Sequence, residues 1–530
     1  MGNAAEQLTP SKNLLKSVTS SFSDADSIHT TLNKRQSQEI VIALCGPIGS
    51  GIQSVEEQLE SVLRDEQYDI HRIRVSHEIE EFYSDCGHAL VYDASNKANR
   101  YNALMDTGNE LRTKHGDAAC AALAIAKIAI IREGFTDENA EDNFIVGKKT
   151  ALKRRAYIIN QLKHPDEVKA LKSVYGNLFY VVGVLCNEAR RKVSICDEGI
   201  GEKEAHDLIE RDKNEVSGHG QQLEKTLFHA DYFINNSDPN ASSARSLLDR
   251  FLKLVHGGRG ITPTREESGM YAAHSASLQS GCLSRQVGAS IMTKEGIVIA
   301  VGHNDVPKFG GGLYTEDDNI TPHTKDYRCV HRDQRCHNDL HKLKLRDKIA
   351  ELLTLKLKDS NPDINFEDVA DSLYHDSQIK SLIEYSRAIH AEMDAIISLA
   401  RTGVAVPDNS TLFTTTFPCH NCARHIITAG ISKIIYIEPY EKSLAISLHD
   451  DALSHSHEKN KVLLAPFQGV APSRYQVFYG STTPKKGTDG RIIVSDRGDL
   501  LQVDSSYVDN YLERESLVAS EILIKRSPQD

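Results

Sequence analysis

The sequence has no tryptophan, only 6% aromatic residues and no basic excess, its formal net charge being -12. Polynucleotide grooves rest on cationic side chains along the phosphates and on aromatic faces for the bases. Bulk nucleic acid is therefore a poor partner, although a local basic patch stays compatible with the total. Long hydrophobic runs are missing as well. The most apolar stretches, Ala118 to Ile131 and Leu178 to Cys186, fall short of the roughly 20 residues that span a bilayer, so no membrane role is expected. Met1 to Leu14 lacks the basic start and apolar core of a signal peptide, and Glu6 stands where a myristoylation signal needs Ser or Thr. The ten cysteines are scattered rather than spaced as a secreted disulfide framework, which makes a reducing cytoplasm the expected location.

What is present is ordinary for a folded soluble protein, with 40% hydrophobic and 26% charged residues. The length of 530 residues calls for two or three domains. Residues 1–37, rich in Ser, Thr, Asn and Lys, read as a leader with no assigned function. The run Ile40-Val41-Ile42-Ala43-Leu44-Cys45 then reads as a buried strand, followed by Gly46-Pro47-Ile48-Gly49-Ser50-Gly51 and a helix through Leu63. Further apolar runs alternating with helical stretches predict an α/β domain over 38–256. Three glycines and a proline between Gly257 and Pro263 mark a boundary. A second α/β domain is expected over 263–480, with a helix over Thr264 to Cys282 and a hairpin of Val287 to Met292 and Ile297 to Val301. A long polar insert at about 305–385 follows, then helices and strands alternating from Ile389 to Ile437, and residues 481–530 form a C-terminal extension.

The sharpest signal is His390-Ala391-Glu392, followed after 25 residues (393 to 417) by Pro418-Cys419-His420-Asn421-Cys422. This is the H-x-E and P-C-x-x-C pair of zinc deaminases. Cys419 and Cys422, i and i+3 in the first turn of one helix, can aim both sulfurs at one point, and the helix N-terminus favours their thiolates. One imidazole and two thiolates leave the fourth position of a tetrahedral zinc to water, whose pKa the metal lowers to roughly 7. Glu392, two residues from a ligand, is placed to shuttle protons as a cytosine loses ammonia. The plain alternatives are a structural zinc with an incidental glutamate, or a buried histidine beside unliganded cysteines. The combined pattern, on two helices across one strand, favours catalysis.

With these residues the chain resembles the cytidine and deoxycytidylate deaminase superfamily. Ser284-Arg285-Gln286-Val287-Gly288-Ala289, Gly302-His303-Asn304, Pro439-Tyr440-Glu441-Lys442-Ser443 and Leu448-His449-Asp450-Asp451-Ala452 look like segments of its deoxycytidylate branch. The resemblance implies a central mixed sheet with the zinc helices on one face. It also implies a sugar contact at Asn304 and the backbone of Ala391 against the base carbonyl. Read alone, Asn304 is equally a turn residue at the end of a hairpin.

In the first domain, Gly46-x-x-x-x-Gly51 between strand and helix has the geometry of a phosphate-binding P-loop, with Gly46, Gly49, Ser50 and Gly51 as candidate phosphate residues. Ile52 and Gln53 stand where Lys and Ser/Thr belong, which removes the cationic clamp needed for phosphoryl transfer. A tight glycine turn without a ligand is the alternative. Asn109-Glu110-Leu111-Arg112, Tyr180 to Val184 and Ala230 to Asn235 resemble nucleotide-kinase-like domains.

The expected fold class is thus α/β, a P-loop kinase-like domain followed by a cytidine-deaminase-like layered α/β/α domain. That pairing resembles the bacterial anti-phage dCTP deaminases over nearly the whole chain. The resemblance implies conversion of free dCTP, and of dCMP, to deoxyuridine nucleotides, with depletion of dCTP during infection. It further implies inhibition by a small RNA in some members and a homo-oligomer, a homohexamer being common among deoxycytidylate deaminases. A polynucleotide-editing deaminase would share the zinc motif, but the acidic balance and scarce aromatics oppose it. A sensor with a dead deaminase fold is opposed by the intact Glu392.

In the insert, Cys329, His331, Cys336, His337 and His341 fall within thirteen residues (329 to 341). Cys329, Cys336, His337 and His341 are candidates for a second, structural zinc, the histidines sharing one helix face. Solvated loop histidines are the alternative.

Overall fold

The computed structural model describes residues 37–88, 90, 92, 96–133, 154–213, 221–237, 243–258, 260–357, 364–377, 379, 382–439, 443–480, 486–492 and 515. Residues 1–36 of the expected leader, Tyr440 to Lys442, and most of the expected 481–530 extension lie outside them. The chain divides into two compact units, one running to Ile261 and resuming at Gln476, the other Thr262–Tyr475. Among the described residues, no helix is long and apolar enough to cross a membrane, and all ten cysteines are unpaired.

The first unit is built on a parallel sheet. Strand β1 (Ile40–Cys45) is buried at every position, as expected of a strand covered on both faces. It pairs in parallel with β3 (Arg155–Asn160) and β4 (Phe179–Leu185), after which β2 (Asp69–Arg74) adds to β3 and β5 (Tyr232–Asn235) to β4. The order β5-β4-β1-β3-β2 places β1 in the middle, so its C-terminal end feeds the glycine loop at the centre of the sheet. Helix α1 (Ile52–Asp65) follows the loop, and α2 (Ala119–Glu133) is rich in small apolar residues that are almost all buried.

The second unit holds a six-stranded mixed sheet in the order β10-β11-β9-β8-β6-β7, with β6 at Gly288–Met292, β7 at Val298–His303, β8 at Thr411–Thr416, β9 at Lys433–Glu438, β10 at Leu453–Ser454 and β11 at Val462–Pro466. The hairpin β6–β7 is antiparallel and turns where Gly296 takes a φ of 95°. Strands β8 and β9 run parallel, which requires a crossover between them. Helix α3 (Arg265–Ser277) starts in a capping box: Glu267 N–H donates to Thr264 Oγ1 at 3.1 Å and Thr264 N–H to Glu267 Oε2 at 2.7 Å. It ends short of the expected Cys282, its carbonyls already met by 278–280 in tight turns. The insert is more regular than its polarity suggested, since it contains a 21-residue helix α4 (His337–Leu357) packed on a second one at Phe366–Asp376.

Candidate active site

Two helices bring the motif together. Helix α5 (Ala391–Thr402) takes His390 as its N-cap, and α6 (His420–Thr428), which fills the crossover from β8 to β9, takes Cys419. Neither ligand side chain caps its own helix, which leaves both free to point elsewhere. Helix α5 lies tight against β7 because Gly302 has no side chain: a Cβ there would run into the carbonyl of Ala391 and the amide of Ala395.

The result is a compact donor set. His390 Nδ1 lies 3.4 Å from Cys419 Sγ and 3.3 Å from Cys422 Sγ, and Cys422 Sγ is 3.3 Å from Glu392 Oε2. The three ligand atoms of His390, Cys419 and Cys422 lie within 4.8 Å of one another. One nitrogen and two sulfurs at that spacing are a zinc-type set with three protein ligands, which leaves a fourth vertex for chemistry. The protons are shared unevenly. Hydrogen bonds donated by Cys422 and by His390 draw the Cys419 thiol down to about 4 against its burial. Cys422 is held far above its ordinary range by donating to Cys419 and by burial. The bond to Cys419 lifts His390 to about 8. Burial raises the carboxyl of Glu392, offset by the neighbouring charge of His390.

A cavity of about 320 Å³ opens on this cluster, lined by His390, Ala391, Glu392 and Cys419 and by Val287, Asn304, Thr416 and Phe417. That volume is in the range of small-molecule sites. Ala391 is fully buried at the start of α5. Asn304 lines the cavity with its amide engaged: Nδ2 donates to the Arg285 carbonyl at 2.9 Å, and Oδ1 accepts from Val287 N–H at 2.7 Å. It fixes the 285–287 segment of the wall.

Three of the insert's four candidate ligands share one small cavity, and His341 does not line it. Cys329, Cys336 and His337 line a pinched cavity of about 20 Å³ together with Cys282, which sequence spacing gave no reason to include. His337 faces Asp333 at 2.9 Å, His341 packs on the Tyr385 ring, and His331 groups with Glu316 and Asp326. Among the described residues, no three of the four proposed ligands have their atoms as close as the His390 cluster does.

In the first unit, the glycine loop has its expected place, with Gly49 and Gly51 both at a φ of 76°. Several of its backbone groups are already taken by the chain. Ile48 N–H donates to Asp212 at 2.6 Å, and Asp212 is held by Lys163 at 2.6 Å, which also donates to the Gly46 carbonyl at 3.2 Å. Arg191 donates to the Ile48 carbonyl at 2.9 Å and Asn236 to the Ser50 carbonyl at 2.8 Å. A carboxylate thus sits on a backbone amide of the kind that holds phosphate oxygens in such loops. Ser50 is buried, its hydroxyl without a hydrogen-bond partner.

Residues 263–438 match the family described as the cytidine and deoxycytidylate deaminase zinc-binding region. The deoxycytidylate deaminase of Enterobacteria phage T2 is 42% identical over 55 residues, 10% of this chain and 29% of the phage protein. ComE operon protein 2 of Bacillus subtilis (strain 168) is 41% identical over 56 residues, 11% and 29% of the two chains. The match therefore spans less than a third of the length of these curated relatives. Among solved structures, the apo dCMP deaminase of cyanophage S-TIM5 aligns with 39% of this chain and 100% of its own, at 19% identity and a TM-score of 0.21. That superposition is too loose to carry an argument, and the family match stands on the sequence. Over residues 263–438 the chain thus matches the zinc-binding region of the cytidine and deoxycytidylate deaminases.

Proposed function

We propose that the chain hydrolytically deaminates free deoxycytidine nucleotides, dCTP and dCMP, to the corresponding deoxyuridine nucleotides. The observation that carries this reading is the donor set of His390, Cys419 and Cys422 with the buried carboxyl of Glu392 against it, on the cavity described above. When bound, zinc supplies an acidified water as nucleophile. Glu392 is a proton carrier and not a ligand. Its raised carboxyl suits it to take a proton from the attacking water, deliver one to N3 of the ring, and pass one to the departing ammonia. Phe417 and Val287 supply apolar walls for a base, and Asn304 keeps the 285–287 wall in place beside the sugar.

Depletion of dCTP in anti-phage defence, regulation by a small RNA and assembly as a homo-oligomer in the cytoplasm complete the reading, on the strength of the family resemblance. Ammonia release from cytosine, cytidine, the deoxycytidine mono-, di- and triphosphates and single-stranded DNA tests it. Turnover should be confined to the free deoxynucleotides, and turnover confined to DNA would overturn it. Glu392→Ala should lower kcat by about 10³-fold, within the usual span for a lost general acid–base, with zinc content unchanged.

A further inference from the structure

The cavity at the His390 cluster is not built by the deaminase sheet and its helices alone. The first turns of α4, in the insert, place Asn338, Asp339 and Lys342 in its wall, and the end of the insert adds Leu382, Ile383 and Ser386. Lys342 is only 7% exposed, a degree of burial that lysine tolerates only with a partner. It has one in Asp339, at 2.9 Å, whose own side chain is 57% exposed. Arg285 lines the same cavity from the segment before β6 and pairs with Glu438 at 3.4 Å. Asn338 donates from Nδ2 to the Leu382 carbonyl at 3.0 Å, while its buried Oδ1 has no hydrogen-bond partner. Such an unmet acceptor at a cavity calls for a donor on a ligand.

Two cations from separate elements therefore border the cavity that also carries the zinc-type donors. A neutral pyrimidine has no use for them, whereas a phosphate has. We propose that Lys342, together with Arg285, receives the phosphate end of the substrate, and that through Lys342 the insert makes the site select nucleotides over nucleosides. This rests on the reading of the cavity as a deoxycytidine-nucleotide site. Asp339 acts as the place-holder: it neutralises Lys342 in the empty site and yields it to the more highly charged phosphate. A plain i,i+3 helix pair, the alternative, would care about neither ligand.

Kinetics of the full-length, zinc-loaded chain with deoxycytidine, dCMP and dCTP decide between them. Lys342→Ala should lower the preference for dCMP and dCTP over deoxycytidine by about tenfold or more, as expected for the loss of one charge-assisted contact, with the loss carried by KM. Lys342→Arg should restore much of it. Asp339→Asn should move KM for the nucleotides the other way, downwards. Equal losses on nucleoside and nucleotides, or no change on either, would overturn the assignment. Calorimetric binding of dCMP against deoxycytidine to the same variants separates this inference from the reading beneath it. If the wild type turns over none of the three compounds, the proposed function fails, while selective dCMP binding lost in Lys342→Ala would still support the phosphate site. Binding of neither compound would refute it.

Discussion

The glycine loop of the first unit and the His390 cluster of the second both gather polar groups at the end of a central strand, and they use them in opposite ways. At the loop the chain answers its own demands: Asp212 takes the Ile48 amide, Lys163 neutralises Asp212, and Arg191 and Asn236 bind the loop carbonyls. At the cluster, His390, Cys419, Cys422 and Glu392 answer chiefly one another, and a cavity stands open beside them. Pairing of this kind ties the loop to the elements around it, whereas mutual pairing on a cavity makes a site that a metal and a substrate can enter.

The largest effect that would sharpen this contrast belongs to the cluster. Cys422→Ala should remove zinc and turnover together, yet cost the metal-free protein only about 1 kcal/mol, as for a small side chain trimmed in a core. Metal analysis beside urea unfolding checks both halves. Asp212→Ala should do the reverse and destabilise by about 3–5 kcal/mol, because it strands the buried ammonium of Lys163. Adding Lys163→Met should recover part of that loss, and a negligible effect of Asp212→Ala on the unfolding midpoint would break the comparison.

A smaller effect comes from His256, another internally satisfied group of the first unit, bonded to the Tyr68 hydroxyl at 2.7 Å and approached by Arg154 at 3.3 Å. Burial, reinforced by the charge of Arg154, depresses it from 6.5 to about 3. Below pH 6.5 the unfolded chain binds a proton that the folded one refuses. The stability held above 6.5 is therefore lost as the pH falls towards 3, by about 2 kcal/mol at pH 5. His256→Gln should flatten that slope in unfolding curves taken at pH 7 and pH 5. The smallest effect is at Thr264→Ala, where loss of the capping oxygen should cost about 1 kcal/mol in the second unit, read from its unfolding midpoint.

Much of this was legible in the sequence because it is local. The strand, loop and helix from Ile40 onward, the hairpin around Gly296 and the spacing of His390, Glu392, Cys419 and Cys422 each rest on residues close in sequence or on one recurring motif. Asp212 was not legible, since it meets Ile48 across 164 positions and nothing near either residue announces the partner. The insert hid its helix because α4 mixes apolar and charged residues around its circumference and buries only Lys342 and Ala350. The same spread concealed Lys342 as a wall of the cavity. Cys282 was overlooked beside Cys329, Cys336 and His337 because 46 residues separate it from Cys329.

Glu267 binds more than the start of α3. Its Oε2 closes the capping box, while its Oε1 accepts from Val470 N–H at 2.8 Å, and the carboxylate is 1% exposed. Gly469 permits that approach, because a Cβ there would strike the glutamate. A charge made midway through synthesis thus waits some two hundred residues for the Val470 amide. A nascent chain stopped short of Val470 would lack that amide for Glu267, so the second unit is expected to close only when the ribosome has passed its far end.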